Sequence, residues 1–245
     1  MSKIAIVLPT YNEHLSLPAF LEQLLSKLYF PTLIIVVDDS DSELAEETKI
    51  VCEAIARNTH HQICYICRNR KLGRGSAVTY GLTEALNINP SLTHIVQADT
   101  DGSHQPSDIL RLIEVDADID VVIGSRYLQE SSIIGWSIKR RLPSKMLNFA
   151  IPLLLGTWTS DITNGLRRYS QKAAKILVEN PPQNSGFISL SEELLTLNGY
   201  HITKKDLPIT FVDRALGSSS VTAKLLYESL LGVLGLIILR GRRKS

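Results

Sequence analysis

Asp99 and Asp101 flank one threonine in "VQADTDGSHQP" (96–106), where an apolar run gives way to polar residues. Two carboxylates this close resist ionising together. A hard divalent cation bound through oxygen removes that cost. Magnesium typically takes one or two protein carboxylates, adds substrate phosphates and keeps several waters, and a D-x-D turn suits that shared arrangement. The pair cannot build a calcium cage, and the EF-hand spacing is absent. Four other stretches hold reactive types. "PTYNE" (9–13) offers a ring, Tyr11, and an acceptor, Glu13, although Asn12 and Glu13 also suit helix capping. "DDSDS" (38–42) offers a carboxylate for ribose hydroxyls or a base N–H. Arg126 in "GSRY" and Lys139, Arg140 and Arg141 in "IKRR" offer cations, and arginine forks match phosphate oxygens. A solvated face is the plainer reading of "IKRR".

The surrounding elements explain how such clusters could meet. "KIAIVLP" is a short apolar run rich in β-branched residues, as in a buried strand. Apolar residues at 17, 20, 21, 24, 25 and 28 predict a helix over about 14–28. "TLIIVVDD", "QICYIC", "THIVQAD" and "DVVIGSRY" read as further strands. Helices are expected over about 42–57, from "GRGSAVTYGLTEAL", and over about 107–114. This alternation implies an α/β fold with a parallel sheet and right-handed crossovers. Ligands of such sheets bind beyond the carboxyl ends of the strands, where four polar clusters fall. Gly73 and Gly75 fit neither G-x-G-x-x-G, since Val78 takes the third place, nor the P-loop pattern. They let a loop pass close to a ligand, or simply pack.

The 245 residues suit one large or two small domains. A net charge of +1 gives no global signal for nucleic acid. Three cysteines make no disulfide framework, which suits a reducing compartment. Cys64 and Cys67 form a lone CxxC on a predicted strand, where i and i+3 face opposite sides, so buried thiols are expected over metal or redox chemistry. "MSKIAIVLPTYNE" does not read as a signal peptide.

With these clusters in this order, the chain resembles an inverting family-2 glycosyltransferase of GT-A fold, which implies a Rossmann-like, mostly parallel sheet flanked by helices. "GSRY" (124–127), "GWSIKRRLPSKMLNF" (135–149), "SDITNGLRRY" (160–169), "GFISLSEEL" (186–194) and "PITFVDRALGSSS" (208–220) are similar to the dolichol- or polyprenol-phosphate mannosyltransferase branch. The resemblance covers about residues 3–220 and is less specific for the sugar. It implies a nucleotide-sugar donor, Mg2+ or Mn2+, and a polyprenyl or dolichyl phosphate acceptor. By position, Pro9, Tyr11, Glu13 and Asp39 would hold the nucleoside. Asp99 and Asp101 would meet metal and diphosphate, with Ser103 as a further ligand. Arg126, Arg140 and Ser144 would grip the acceptor phosphate. Asp161 and Arg167 would lie near the sugar, with Glu192 in the same wall, and Arg214 would reach the donor diphosphate. Asp101, Arg126, Arg140 and Arg214 are the residues expected to carry catalysis. Ser220 stands where the family often has lysine, which implies either one phosphate contact fewer or Lys224 as its substitute one helical turn on. Asn164 and Leu166 depart from the family's "D-x-T-S-G-F-R" pattern, which bears on sugar identity.

The expected reaction is transfer of mannose from GDP-mannose, with UDP-glucose as the alternative donor and a catalytically inactive nucleotide-sugar-binding subunit as the non-enzymatic alternative. The expected domains are 1–220, the transferase, and 221–245, a membrane-interface or packing helix with a basic tail. The apolar part, 225–239, is too short for a hydrocarbon core of about 30 Å. Arg240, Arg242, Arg243 and Lys244 follow, which suits an interfacial helix. Core packing, a dimer contact or docking on a small membrane subunit are the competing uses. "FAIPLLLGTW" (149–158) offers a second lipid-facing surface. The expected location is peripheral, on the cytosolic face of a membrane.

Overall fold

The computed structural model describes residues 3–184, 186–213 and 235. Arg214, Ser220, Lys224 and the helix expected over 221–245 therefore lie outside the described residues. In chain order the elements are β1 (Ile4–Thr10), α1 (Leu17–Lys27), β2 (Thr32–Asp38), α2 (Ser42–Arg57), β3 (Gln62–Cys67), α3 (Arg74–Ile88), β4 (His94–Gln97), α4 (Pro106–Glu114) and β5 (Val121–Ser125). There follow β6 (Ser132–Ile134), α5 (Ile138–Leu155), β7 (Arg167–Ser170), α6 (Gln171–Glu179), α7 (Phe187–Leu197), β8 (Lys204–Pro208) and β9 (Thr210–Val212). The first helix starts later than its apolar spacing suggests. Asn12 takes φ +56°, the chain turns, and the Ser16 and Leu17 N–H groups donate to the Glu13 carbonyl.

Strand order in the main sheet is β3-β2-β1-β4-β7-β5-β8. The continuous apolar strands bury both faces, as parallel strands covered by helices do. Ala5, Val7, Leu33, Ile35 and Val37 pack under α3, α6 and α7. Ile6, Leu8, Ile34 and Val36 point the other way, onto α1, α2 and α4.

One strand is the exception within the expected mostly parallel sheet. β7 runs antiparallel between β4 and β5, pairing Gln97 with Arg167 and Ile123 with Arg167. The sheet is thus mostly, not wholly, parallel. The segment leading into β7, 160–166, consequently arrives at the carboxyl ends of β4 and β5, beside the acidic turn. A small ribbon of β6 and β9 closes that side.

The cysteines are all free, and only Cys52 is fully buried. Burial pushes its thiol up to about 12 and raises Cys64 as well, so neither is a ready thiolate nucleophile at neutral pH.

His94 is buried in β4, with Nε2 3.2 Å from the Ala117 carbonyl oxygen. Burial, then the charge of Arg168, lowers its pKa. The unfolded chain therefore takes up this proton at a higher pH than the folded one. The contribution of His94 to stability is full above about pH 6.5 and is lost as pH falls from there towards the lowered folded value. The urea midpoint is expected to drop on acidification through this window, and His94→Asn to flatten the drop. An unaltered pH dependence in that variant would assign the effect elsewhere.

Candidate active site

β2 delivers Asp39 to the sheet edge, where the carboxylate meets its own chain. Arg68 Nε and Nη2 donate to its two oxygens at 2.6 and 2.8 Å, and the Leu72 and Gly73 N–H groups donate to Oδ2 at 2.9 and 3.0 Å. Asp39 thus organises the loop that enters α3, with Gly73 at φ +92°, a conformation glycine adopts without strain. Tyr11 is exposed, with Lys71 Nζ 4.1 Å from its ring centroid. Pro9 is buried within β1. Glu13 accepts a hydrogen bond from the Thr100 hydroxyl, which ties the end of β1 to the acidic turn.

Within that turn, Asp101 Oδ1 accepts from the Ser103 N–H at 3.0 Å. Asp99 Oδ1 takes Arg74 Nε at 2.7 Å, while its N–H donates to His104 Nδ1 at 2.9 Å. His104 Nδ1 is then an acceptor, so Nε2 carries the proton and donates to Asn164 Oδ1 at 2.9 Å. Asn164 Nδ2 in turn donates to the Gly124 carbonyl at 2.6 Å. One amide side chain thus bridges the acidic turn to the end of β5. Serine, the residue the resembled motif has at this place, lacks that reach and donor count. His104 was not singled out from sequence; its position three residues after Asp101 is the only signal it gives.

Across from the turn stands a wall of arginine and aromatic rings. Arg126 Nε and Nη2 donate to the two Asp161 oxygens at 2.7 and 2.8 Å, and Nη2 also donates to Thr163 Oγ1 at 2.7 Å. Rings of Tyr127, Trp136 and Phe211 lie 5.2–5.4 Å from the guanidinium carbon. Burial opposes the charge on Arg126, but Asp161 outweighs it, and the pKa is raised. Asp99 adds to that rise, so the wall and the turn share one electrostatic field. Arg140 stacks on Trp136 at 4.0 Å and donates through Nη1 to Asp213 at 2.8 and 3.0 Å. One helical turn on, Ser144 Oγ accepts from the Tyr127 hydroxyl at 2.6 Å. A further turn on, Asn148 Nδ2 donates to Thr163 Oγ1 at 2.9 Å. Residues 140, 144 and 148 share one face of α5. Asn148 was missed in the sequence, although this four-residue spacing carries it.

Several expected contact residues turn inward instead. Arg167 was expected beside the sugar, yet it is fully buried. Its donors go to Glu193 at 3.0 Å and to the carbonyls of Ile162, Asn164 and Leu190. β7 occupies the middle of the sheet, so Arg167 supports the 160–166 segment from beneath and touches no open surface. Glu192 accepts from the Gln183 and Asn184 N–H groups at 3.0 Å, holding the 181–184 loop. Asp161 is fully buried and oriented by Arg126.

The acidic turn fits a divalent ion in its chemistry: two carboxylates and a serine, all oxygen donors. Among the described residues there is no group of three or more His, Cys, Asp or Glu that could hold a metal. An ion held here needs oxygens from a second molecule, as magnesium sites in phosphate chemistry do.

The Glycosyl transferase family 2 domain matches residues 5–177. A polyprenol monophosphomannose synthase of Mycolicibacterium smegmatis is 30% identical over 233 residues, covering 93% of this chain and 84% of its own. An undecaprenyl-phosphate mannosyltransferase of Micrococcus luteus is 28% identical, covering 94% and 92%. Among solved structures, glucosyl-3-phosphoglycerate synthase of Mycobacterium tuberculosis, in complex with Mn2+, UDP and glucosyl-3-phosphoglycerate, superposes with a TM-score of 0.64 at 19% identity, covering 97% of this chain and 79% of that one. At that identity the likeness is one of fold.

Asp161→Asn leaves the buried Arg126 charge uncompensated and is expected to cost about 3–5 kcal/mol in urea unfolding. Adding Arg126→Met should recover part of that loss, because the second change removes the stranded charge. Additive losses in the double variant would mean that the pair does not act as a unit.

Proposed function

Because the chain belongs to glycosyl transferase family 2 and is a glycosyltransferase, we propose that it transfers mannose from GDP-mannose to a polyprenyl phosphate, with inversion at the anomeric carbon. The observation that carries the acceptor is the arginine wall, Arg126 and Arg140 around Trp136 with Ser144 behind them, facing the acidic turn. Two relatives named for polyprenyl-phosphate mannose chemistry support the same reading. UDP-glucose is the competing donor, since fold neighbours were solved with it, although fold alone does not assign a substrate.

Transfer to a hydroxyl requires a base to take its proton. A phosphate monoester, with a second pKa of about 6, is already mostly dianionic near neutral pH. Arg126 and Arg140 would hold that anion and aim one oxygen at the anomeric carbon. The bond from carbon to the donor diphosphate breaks as the bond to the acceptor oxygen forms, and no proton need move. Asp99, Asp101 and Ser103 would hold Mg2+ or Mn2+, which when bound supplies counter-charge to the departing diphosphate. Tyr11 and Glu13 would line the nucleoside end, with Pro9 buried in β1 behind them, and Asp39 shapes it through the 68–73 loop. Arg214, outside the described residues, remains assigned to the donor diphosphate by resemblance alone.

The acceptor is a membrane lipid, and α5 offers a surface for one. Ile138, Leu142, Met146, Phe149 and Leu153 are all at least 60% exposed along one side of the helix, with Trp158 just beyond. Lys139, Arg141 and Lys145 are exposed among them, a pattern suited to an anionic lipid interface. Among the described residues, no helix is long and apolar enough to cross a membrane. We infer a peripheral enzyme on the cytosolic face, with α5 towards the lipid.

Purified protein with Mg2+, GDP-mannose and a short polyprenyl phosphate is expected to yield a lipid-linked β-mannose, read by mass and glycosidase digestion. Asp101→Asn should lower the rate by at least about a hundredfold. Full activity in excess EDTA would falsify the metal assignment, and preference for UDP-glucose would change the donor. Phe149→Ser with Leu153→Ser should reduce pelleting with anionic vesicles several-fold; undiminished pelleting would leave the 221–245 segment as the lipid contact.

A further inference from the structure

Arg74 opens α3 and reaches across to the acidic turn. Its Nε donates to Asp99 Oδ1 at 2.7 Å and its Nη2 to the Gly165 carbonyl at 3.1 Å. The guanidinium lies against Gly165 so closely that a Cβ there would stand 2.2 Å from Nη2. Glycine at 165 therefore makes room for this arginine. The Leu72 and Gly73 N–H groups, just before it, are held by Asp39, so the residue that shapes the nucleoside end also sets where Arg74 begins.

The ion pairs near the sheet edge differ in how open they are. Arg126–Asp161 side chains are 6% and 0% exposed, Arg167–Glu193 0% and 2%, and Arg68–Asp39 8% and 3%. Arg74–Asp99 is open by comparison, at 20% and 26%. Asp99 is pinned through its backbone to His104, which leaves its side chain able to change partners. Arg74 Nη1 is buried without an acceptor, and an orphaned buried donor is destabilising. Another set of oxygens would satisfy this arginine better. A diphosphate carries such oxygens and matches a guanidinium fork.

We propose that Arg74 is a resident counter-cation for Asp99, surrendered when a divalent cation arrives together with a nucleoside diphosphate, so that metal binding at the acidic turn depends on the nucleotide. The inference rests on the reading of Asp99 and Asp101 as metal ligands. A cation arriving alone meets a carboxylate already neutralised and a fixed positive charge beside it. With the diphosphate, Arg74 exchanges one anion for another, and Asp99 is released to the metal. Arg74 is in this sense a positioning residue.

The test is Mn2+ binding followed by electron paramagnetic resonance of the free ion, with and without GDP, on the full chain. The wild type is expected to bind Mn2+ alone weakly and Mn2+ with GDP far more tightly. Arg74→Met should bind Mn2+ alone about tenfold more tightly and show a correspondingly smaller gain from GDP. Gly165→Ala, which displaces the arginine without removing its charge, should shift in the same direction, and Arg74→Lys should stay near the wild type. Mn2+ affinity without GDP that is unchanged in folded Arg74→Met overturns the proposal while leaving the metal site standing. Mn2+ with GDP binding as tightly to Asp101→Asn as to the wild type overturns the metal reading and this inference with it.

Discussion

Charge neutralisation at the carboxyl edge of the sheet is the constraint on which the rest of the structure depends. Asp39, Asp99, Asp161, Glu193 and Asp213 gather there, and each is met by an arginine: 68, 74, 126, 167 and 140 in turn. Without those partners the carboxylates would repel one another, and their burial would carry a high desolvation cost. With them, the loops that carry the acids are fixed to the loops that carry the bases. The site is therefore assembled by the same contacts that make its charges tolerable.

Burial divides these pairs into two kinds. The three enclosed pairs carry backbone as well as side-chain bonds, and they set the positions of 68–73, 160–166 and the base of α7. The two pairs open to water, Arg74–Asp99 and Arg140–Asp213, stand at the proposed donor and acceptor ends. A rigid frame with exchangeable contacts at its two anion sites is what transfer between phosphates asks of a protein, because preorganised cations need little rearrangement during reaction.

The antiparallel β7 converts this frame into a cleft. A wholly parallel sheet would place β4 beside β5 and leave no room for the 160–166 segment between their ends. With β7 inserted, Asn164 reaches His104 on one side and Gly124 on the other. The acidic turn, the end of β5 and the arginine wall are then parts of one hydrogen-bonded unit.

Local pattern was enough for much of this. The alternation of apolar runs and helical spacing in the first 125 residues located the early strands and helices, because periodicity is written into neighbouring residues. The placement of "DTDGSHQ", "DDSDS" and "GSRY" at strand ends followed from the same pattern, whereas the shared face of Arg140 and Ser144 emerged only with helix α5. What sequence could not determine was which side chains face outward at those ends. Arg167 and Glu192 carry charges that a sequence reader sends to a ligand, yet the fold turns them inward because partners from α7 and the 181–184 loop approach them. Arg74 meets Asp99 across 25 positions and Gly165 across 91. Such partnerships depend on how loops from separate crossovers converge, and that convergence was decided by the strand order and by β7, not by any local run of residues.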